Sequence, residues 1–184
     1  MIQRIVLSGT GGQGMITAAI VLAEAALFYE GLNAVQTQVY GPEARGGSAR
    51  SDVIISDDDI WFPKVLEPNV LACLSQMAYD RFSSQVRPGG IVVTDPHFVK
   101  RWAHASSREF AFPLHATVSE LDGGQTGPGI NMCLLGVLSR LIPVVRLESL
   151  QQAVADRFPG RFLETNLKAL EAGAALVSES VATF

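Results

Sequence analysis

A chain of 184 residues with 48% hydrophobic and 17% charged residues has the length and composition of one domain with a substantial buried core. Its net charge of −4 and the scatter of its Lys and Arg residues argue against a nucleic-acid partner, because binding a phosphate backbone needs a concentrated basic face. No run approaches the ~18 uninterrupted apolar residues of a membrane span, and residues 1–8 lack the regions of a signal peptide, so a cytoplasmic chain without membrane contact is expected.

Ile5-Val6-Leu7 is a β-prone run that ends in Gly9-Thr10-Gly11-Gly12-Gln13-Gly14, and a helical stretch from Met15 to Tyr29 follows at once. Backbone N–H groups in the first turn of such a helix have no intrahelical partner and carry the positive end of its dipole. Gly9, Gly11, Gly12, Gln13 and Gly14 are therefore candidates for holding a CoA or nucleotide phosphate; a tight turn that only brings helix and sheet together is the other reading. Ile16, Ile20, Ala23 and Leu27 recur at helical spacing and mark the face expected on the sheet, with the helix ending near Gly31.

A second strand is expected over residues 33–40. A dinucleotide fold requires an acid about 20 residues beyond its glycine loop, at the tip of that strand, to hold the ribose. Tyr40 stands there instead, with Glu30 before the strand and Glu43 after it, so NAD is disfavoured. Gly41-Pro42-Glu43-Ala44-Arg45-Gly46-Gly47 is too rich in Gly and Pro for a regular element, and Ser48 to Ser56 reads as a third strand. Asp57-Asp58-Asp59 is expected to be a solvated turn.

Asn69 to Leu74 is almost continuously apolar, as a parallel strand covered on both faces would be. A helix through Met77, Tyr79, Phe82 and Val86 follows; Pro88-Gly89-Gly90 stops it and opens the strand Ile91-Val92-Val93-Thr94, which runs into Asp95-Pro96. The alternation predicts an α/β fold: a Rossmann-like, doubly wound, mostly parallel sheet with helices on both faces, in a single domain. Loops 9–14, 41–47 and 95–98 should then gather at the carboxyl ends of the strands.

Residues 97–108 are open between helix and loop, Glu109 to Leu114 could add an edge strand, and Leu121 to Gly129 is a Gly-rich loop. Asn131 is placed to cap a helix from Met132 to Ile142 that is apolar on almost every side, so it lies inside the domain or against another chain. A short helix from Glu148 to Phe158 precedes a last one with Leu163, Leu167, Leu170, Ala174, Val177 and Val181 as a stripe, to be covered by this domain or by a second subunit. Cys73 and Cys133 lie far apart in apolar runs and read as buried thiols, and His97, His104 and His115 share no metal-ligand spacing.

Taken together, the glycine turn, Tyr40-Gly41-Pro42-Glu43-Ala44-Arg45-Gly46-Gly47, the turn ending in Asp59-Ile60, Pro88-Gly89-Gly90, Asn131 in its apolar helix, and Asn166-Leu167-Lys168-Ala169-Leu170-Glu171-Ala172-Gly173 resemble the gamma subunit of the 2-oxoacid:ferredoxin oxidoreductases, the pyruvate/ketoisovalerate oxidoreductase catalytic-domain family. The pattern is most similar to the 2-oxoglutarate enzyme. This resemblance implies a multisubunit enzyme that oxidatively decarboxylates a 2-oxoacid with CoA and passes electrons to ferredoxin. It also implies that thiamine diphosphate, Mg and iron–sulfur clusters belong to alpha and beta subunits or a small ferredoxin-like delta subunit, so the isolated chain should be inactive, whether single or paired as a homodimer.

No cysteine cluster and no Gly-Asp-Gly thiamine motif is present in the sequence. Tyr40, Gly41, Pro42, Glu43, Arg45, Gly46 and Gly47 would form a subunit-interface or active-site loop, Glu43 and Arg45 pairing with each other, with a neighbouring subunit or with a CoA phosphate. Two rival readings are a free-standing nicotinamide-dependent dehydrogenase and a scaffold that holds no ligand.

Overall fold

The computed structural model describes residues 1–39, 48–102, 107–123, 129–142 and 144–178. In chain order they form β1 (Ile2–Thr10), α1 (Met15–Tyr29), β2 (Asn33–Val39), β3 (Ser48–Ser56), β4 (Val70–Leu74), α2 (Gln76–Phe82), a 3-10 turn (Ser83–Gln85), β5 (Ile91–Thr94), β6 (Arg108–Ala111), α3 (Leu114–Leu121), α4 (Ile130–Leu141), α5 (Leu147–Arg157) and α6 (Arg161–Ala175).

The strands make one six-stranded sheet in the order β2-β3-β1-β4-β5-β6. β1, β4, β5 and β6 are parallel, whereas β3 is antiparallel to both of its neighbours. The expectation of a mostly parallel sheet holds, with β2 parallel to β1 across the α1 crossover, but β2 and β3 are not themselves joined by a crossover. They form a hairpin, which sends β3 back beside β1 and pushes β2 to the edge.

Alternate side chains of the sheet feed two cores. Ile5, Leu7, Val53, Ile55, Val70, Ala72 and Val93 pack under α1 and α3 to α6. Val6, Ile54, Leu71, Cys73 and Val92 meet Ala78, Tyr79 and Phe82 of α2, with Val65 and Val99 filling in from loops. β4 is buried along its whole length, consistent with its unbroken apolar sequence. Each large aliphatic side chain buried this way contributes about 1.5–3 kcal/mol.

Several local expectations are corrected. α1 lays Met15, Ala18, Ala19, Val21, Leu22, Ala25 and Ala26 on the core, while Ile16, Ile20 and Ala23 are half-buried and Leu27 is exposed. The helix is apolar nearly all round, so its periodicity had no phase; the alanines decide, because small side chains let the helix lie close to the sheet. Gly31 (φ 66°) ends it, turning the Leu32 N–H back onto the Ala26 carbonyl at 3.0 Å. Residues 96–98 form a turn and 99–102 are irregular, and α3 follows a short β6 at a place where the sequence predicts no helix.

α4 is buried from Met132 to Leu138, which settles its position inside the domain. α6 packs against it with Leu170 and Ala174 buried and Leu163, Leu167 and Val177 resting on the same core; Val181 lies outside the described residues. Asp57 accepts a hydrogen bond from the N-terminal amino group, and Asp58 and Asp59 are exposed.

Candidate functional site

The loop after β1 is built around Gln13. Its side-chain oxygen accepts from the Thr10 N–H at 2.7 Å, and its amide nitrogen donates to the Leu74 carbonyl at 2.9 Å, tying the carboxyl ends of β1 and β4 together. Gly9 makes room for it: a β-carbon there would lie 2.3 Å from the Gln13 oxygen, and the Gln13 side chain would have to leave its two hydrogen bonds to accommodate one. Gly14 takes a left-handed conformation (φ 73°) to turn the chain into α1, and a β-carbon on it would meet Asn131 at 2.5 Å. Gly9, Gln13 and Gly14 are thus accounted for by the turn itself. A β-carbon on Gly11 or Gly12 meets nothing within 4 Å, and both residues are exposed.

Asn131 does not cap α4. Gly129 (φ 137°) precedes the helix, and Asn131 stands in its first turn, where its amide donates to the Gly14 carbonyl at 3.2 Å and its oxygen accepts from the Met132 N–H at 3.0 Å. The link brings the amino termini of α1 and α4 together. They open on a cleft of about 420 Å³ whose floor includes Gly12 and Thr17 and whose far wall is Phe158, Phe162 and Asn166. The amino termini of two helices beside two phenylalanines form a pocket suited to a ligand with a phosphate at one end and an apolar or ring-bearing part beyond it.

The carboxyl edge also holds Asp95. Its buried carboxylate accepts from the His97 N–H and the His115 N–H, each at 2.6 Å, joining the turn after β5 to the first turn of α3. The His97 and His115 rings consequently stack 3.8 Å apart. Spacing could not reveal that pairing, because 17 intervening residues separate the two; His104 lies outside the described residues.

Tyr40, Gly41, Pro42, Glu43, Arg45, Gly46 and Gly47 also lie outside the described residues. The described strand ends on either side of them pair at one edge: Val39 with Arg50, and Ser48 with Thr10, the last residue of β1. Loops 9–14 and 95–98 follow β1 and β5 at that same end of the sheet.

The topology bears on the nicotinamide reading. In a dinucleotide fold the ribose acid comes from the strand next to β1. Here β3 stands between β1 and β2, so the tip of β2 is one strand spacing, about 4.8 Å, further away than that chemistry requires. Nor do the cysteines offer a cluster. Burial pushes the Cys73 thiol far above its ordinary range, and burial with the negative charge of Asp95 pushes Cys133 up to about 12, so neither supplies the thiolate a metal needs. Among the described residues no group of His, Cys, Asp or Glu could hold a metal ion, and no helix is long and apolar enough to cross a membrane.

Comparison with known proteins agrees with this architecture. The family described as pyruvate ferredoxin/flavodoxin oxidoreductase matches residues 4–176. The 2-oxoglutarate synthase subunit KorC of Methanocaldococcus jannaschii is 38% identical, covering 97% of this chain and 96% of its own. The crystal structure of a keto/oxoacid ferredoxin oxidoreductase gamma subunit from Geobacter sulfurreducens superposes with a TM-score of 0.85 at 36% identity, covering 96% of each chain. A 2-oxoglutarate:ferredoxin oxidoreductase from Magnetococcus marinus, solved with 2-oxoglutarate, coenzyme A and succinyl-CoA bound, shares the fold with a TM-score of 0.83 at 24% identity; the match covers 95% of this chain and 31% of that one. The chain belongs to the pyruvate ferredoxin/flavodoxin oxidoreductase family, as a subunit of the gamma type.

Proposed function

We propose that this chain is the gamma subunit of a cytoplasmic 2-oxoglutarate:ferredoxin oxidoreductase, which docks on alpha and beta subunits and supplies part of the surface that binds CoA. The observation that carries the CoA assignment is the cleft where α1 and α4 begin side by side, lined by Gly12, with the neighbouring Gly11 also unobstructed. N–H groups of the two helix termini suit the pyrophosphate, and Phe158 and Phe162 offer apolar surface to the rest of the molecule. The loop of residues 40–47, with Glu43 and Arg45, is assigned to the contact with the neighbouring subunits on the same edge.

In such an assembly thiamine diphosphate with Mg and the iron–sulfur clusters, held by the alpha and beta subunits or by a small ferredoxin-like delta subunit, would supply decarboxylation and electron transfer to ferredoxin. This chain binds and orients CoA and excludes water around it. Its two buried thiols support that division of labour.

The test is reconstitution of the complex with the chain carrying Gly11→Glu. The expected result is a rise of at least ~10-fold in KM for CoA, with KM for 2-oxoglutarate unchanged, because a carboxylate now faces the phosphates across an otherwise undisturbed loop. An unchanged KM for CoA removes the CoA assignment, and 2-oxoacid oxidation by the lone chain removes the subunit assignment.

A further inference from the structure

At the opposite end of the sheet from the glycine loop, four cations that are scattered in sequence come close together. Arg4, Lys64 and Arg87 line a cleft of about 370 Å³ with Phe62, Leu66 and Glu67, and Arg87 is shared with a neighbouring cleft of about 210 Å³ that includes Arg108. Arg50, Arg101, Arg146, Arg157 and Lys168 each pair with a carboxylate of this chain, but none of these four does among the described residues. A protein of net charge −4 therefore gathers four cations without a carboxylate partner at one edge, where Glu67 is the single anion lining the larger cleft.

The loop that lines this cleft also carries three exposed large apolar side chains: Trp61 is 89% exposed, Leu66 68% and Phe62 59%. They stand on a loop that is pinned in place. Val65 is buried and its carbonyl accepts from Arg50 at 2.8 Å, the Asn69 N–H donates to the Arg4 carbonyl at 2.8 Å, and the Arg87 N–H donates to the Pro68 carbonyl at 3.2 Å. Residues held this way lose little conformational entropy on association, which is what a docking surface needs. Apolar anchors beside unpaired cations match an occupant that is apolar at its centre and acidic beside it.

We propose that the edge formed by Arg4, Trp61, Phe62, Lys64, Leu66 and Arg87 docks an acidic, apolar-bearing segment of a partner subunit of the complex. The segment seats apolar side chains on Trp61, Phe62 and Leu66 and places Asp or Glu carboxylates between the cations. This surface is separate from the CoA cleft: Arg4 and Thr10 stand at opposite ends of β1, about 20 Å apart along the strand. The inference rests on the chain being a subunit of a larger assembly.

The experiment measures binding of the co-produced thiamine-bearing subunits to the wild-type chain, to Lys64→Glu/Arg87→Glu and to Trp61→Ser. All three substituted side chains are exposed, so melting temperatures should match and affinity alone should move. The expected result is a dissociation constant ~10–100-fold weaker for each variant, with a reduced salt dependence for the charge reversal. A zero-length carbodiimide cross-link should also join the Lys64 amine to a carboxylate of a partner subunit and vanish in Lys64→Arg. Affinity within twofold of wild type in both variants overturns the proposal, as does a Lys64 cross-link to a second copy of this chain. Loss of variant binding that free CoA or inorganic phosphate reproduces by competition also overturns it, in favour of a small-anion site. Failure of the wild-type chain itself to bind those subunits instead overturns the subunit assignment.

Discussion

Gly136 of α4 and Gly173 of α6 let the two helices meet backbone on backbone. A β-carbon on Gly136 would lie 2.0 Å from the Leu170 carbonyl oxygen, and one on Gly173 would lie 1.9 Å from that of Cys133. An alanine gains about 1 kcal/mol of helix propensity over glycine, but neither contact can be relieved by rotating a side chain, and overpacking of this kind costs about 1–3 kcal/mol or more. Gly136→Ala and Gly173→Ala should each lower the unfolding free energy in urea, against the sign that propensity alone gives. Because α6 supplies Phe162 and Asn166 to the cleft proposed to hold CoA, that proposal also expects affinity for CoA in the assembled enzyme to fall with it.

The layout of this molecule was legible where the sequence is one-sided. β4 reads as a buried parallel strand because every residue from Val70 to Leu74 is apolar, and β5 is bracketed by Gly89-Gly90 and Asp95-Pro96. α1 was legible as a helix but not in its facing, since a segment apolar all round carries no phase. β3 was legible as a strand but not in its direction; direction depends on the hairpin, and the Gly-rich 41–47 segment reads as a loop either way. At the site, spacing pointed to the glycine turn. It did not distinguish Gly9 and Gly14, which make room for Gln13 and Asn131, from Gly11 and Gly12, which face open space. Nor could it bring Arg4, Lys64 and Arg87 together, because that cluster is made by the starts of β1 and β5 and the loop before β4.

The glycine turn should therefore respond unequally to alanine. Gly11 has an ordinary φ and no neighbour within 4 Å, so Gly11→Ala should change stability by less than about 0.5 kcal/mol. Gly12→Ala carries the left-handed penalty of about 1–2 kcal/mol at φ 91°. Gly14→Ala carries the same penalty and must also displace Asn131, so it should be the most damaging of the three. Thermal or urea unfolding of the three variants checks the order.

Gln13 makes a prediction about chemistry rather than size. Gln13→Glu keeps the length and the acceptor for Thr10 but replaces the donor to Leu74 with an oxygen facing a carbonyl oxygen. A half-buried acceptor left without its donor costs about 1–3 kcal/mol. Gln13→Glu should be at least as destabilising as Gln13→Ala, and the gap between them should close at low pH when the carboxyl regains a proton to donate.

Glu30 joins the end of α1 to the start of α5. Burial raises the pKa of its carboxyl, but hydrogen bonds from Ser149 at 2.6 Å and from the Arg146 N–H at 2.8 Å, together with the Arg146 guanidinium, outweigh that and hold it below its usual value. A depressed carboxyl stabilises the fold above its unfolded pKa, about 4.3, and that contribution is lost as pH falls through the lower folded value. Glu30→Gln should lower stability by about 1–2 kcal/mol at pH 7, and the difference from wild type should shrink as pH falls below the unfolded value and the folded carboxyl takes up its proton. A difference that persists undiminished into the acid range would mean the role of Glu30 is packing.

The thiols give the opposite pH dependence. Burial and the charge of Asp95 keep Cys133 protonated to about 12, whereas in the unfolded chain a thiol ionises near 8.5, so above that pH the unfolded state sheds a proton that the native state retains. Stability must then fall with rising pH, by about 1.4 kcal/mol per pH unit for each such thiol. Between pH 9 and 11 the unfolding free energy of the wild-type chain should decline more steeply than that of Cys133→Ala by about this amount per pH unit. Loss of the sulfur shifts the whole curve by a constant through packing, so the slope is the quantity that reports the thiol. Parallel slopes would show that Cys133 ionises as readily in the native chain as in the unfolded one, and native Cys133 would then react with a disulfide reagent at pH 9, where it is expected to stay inert.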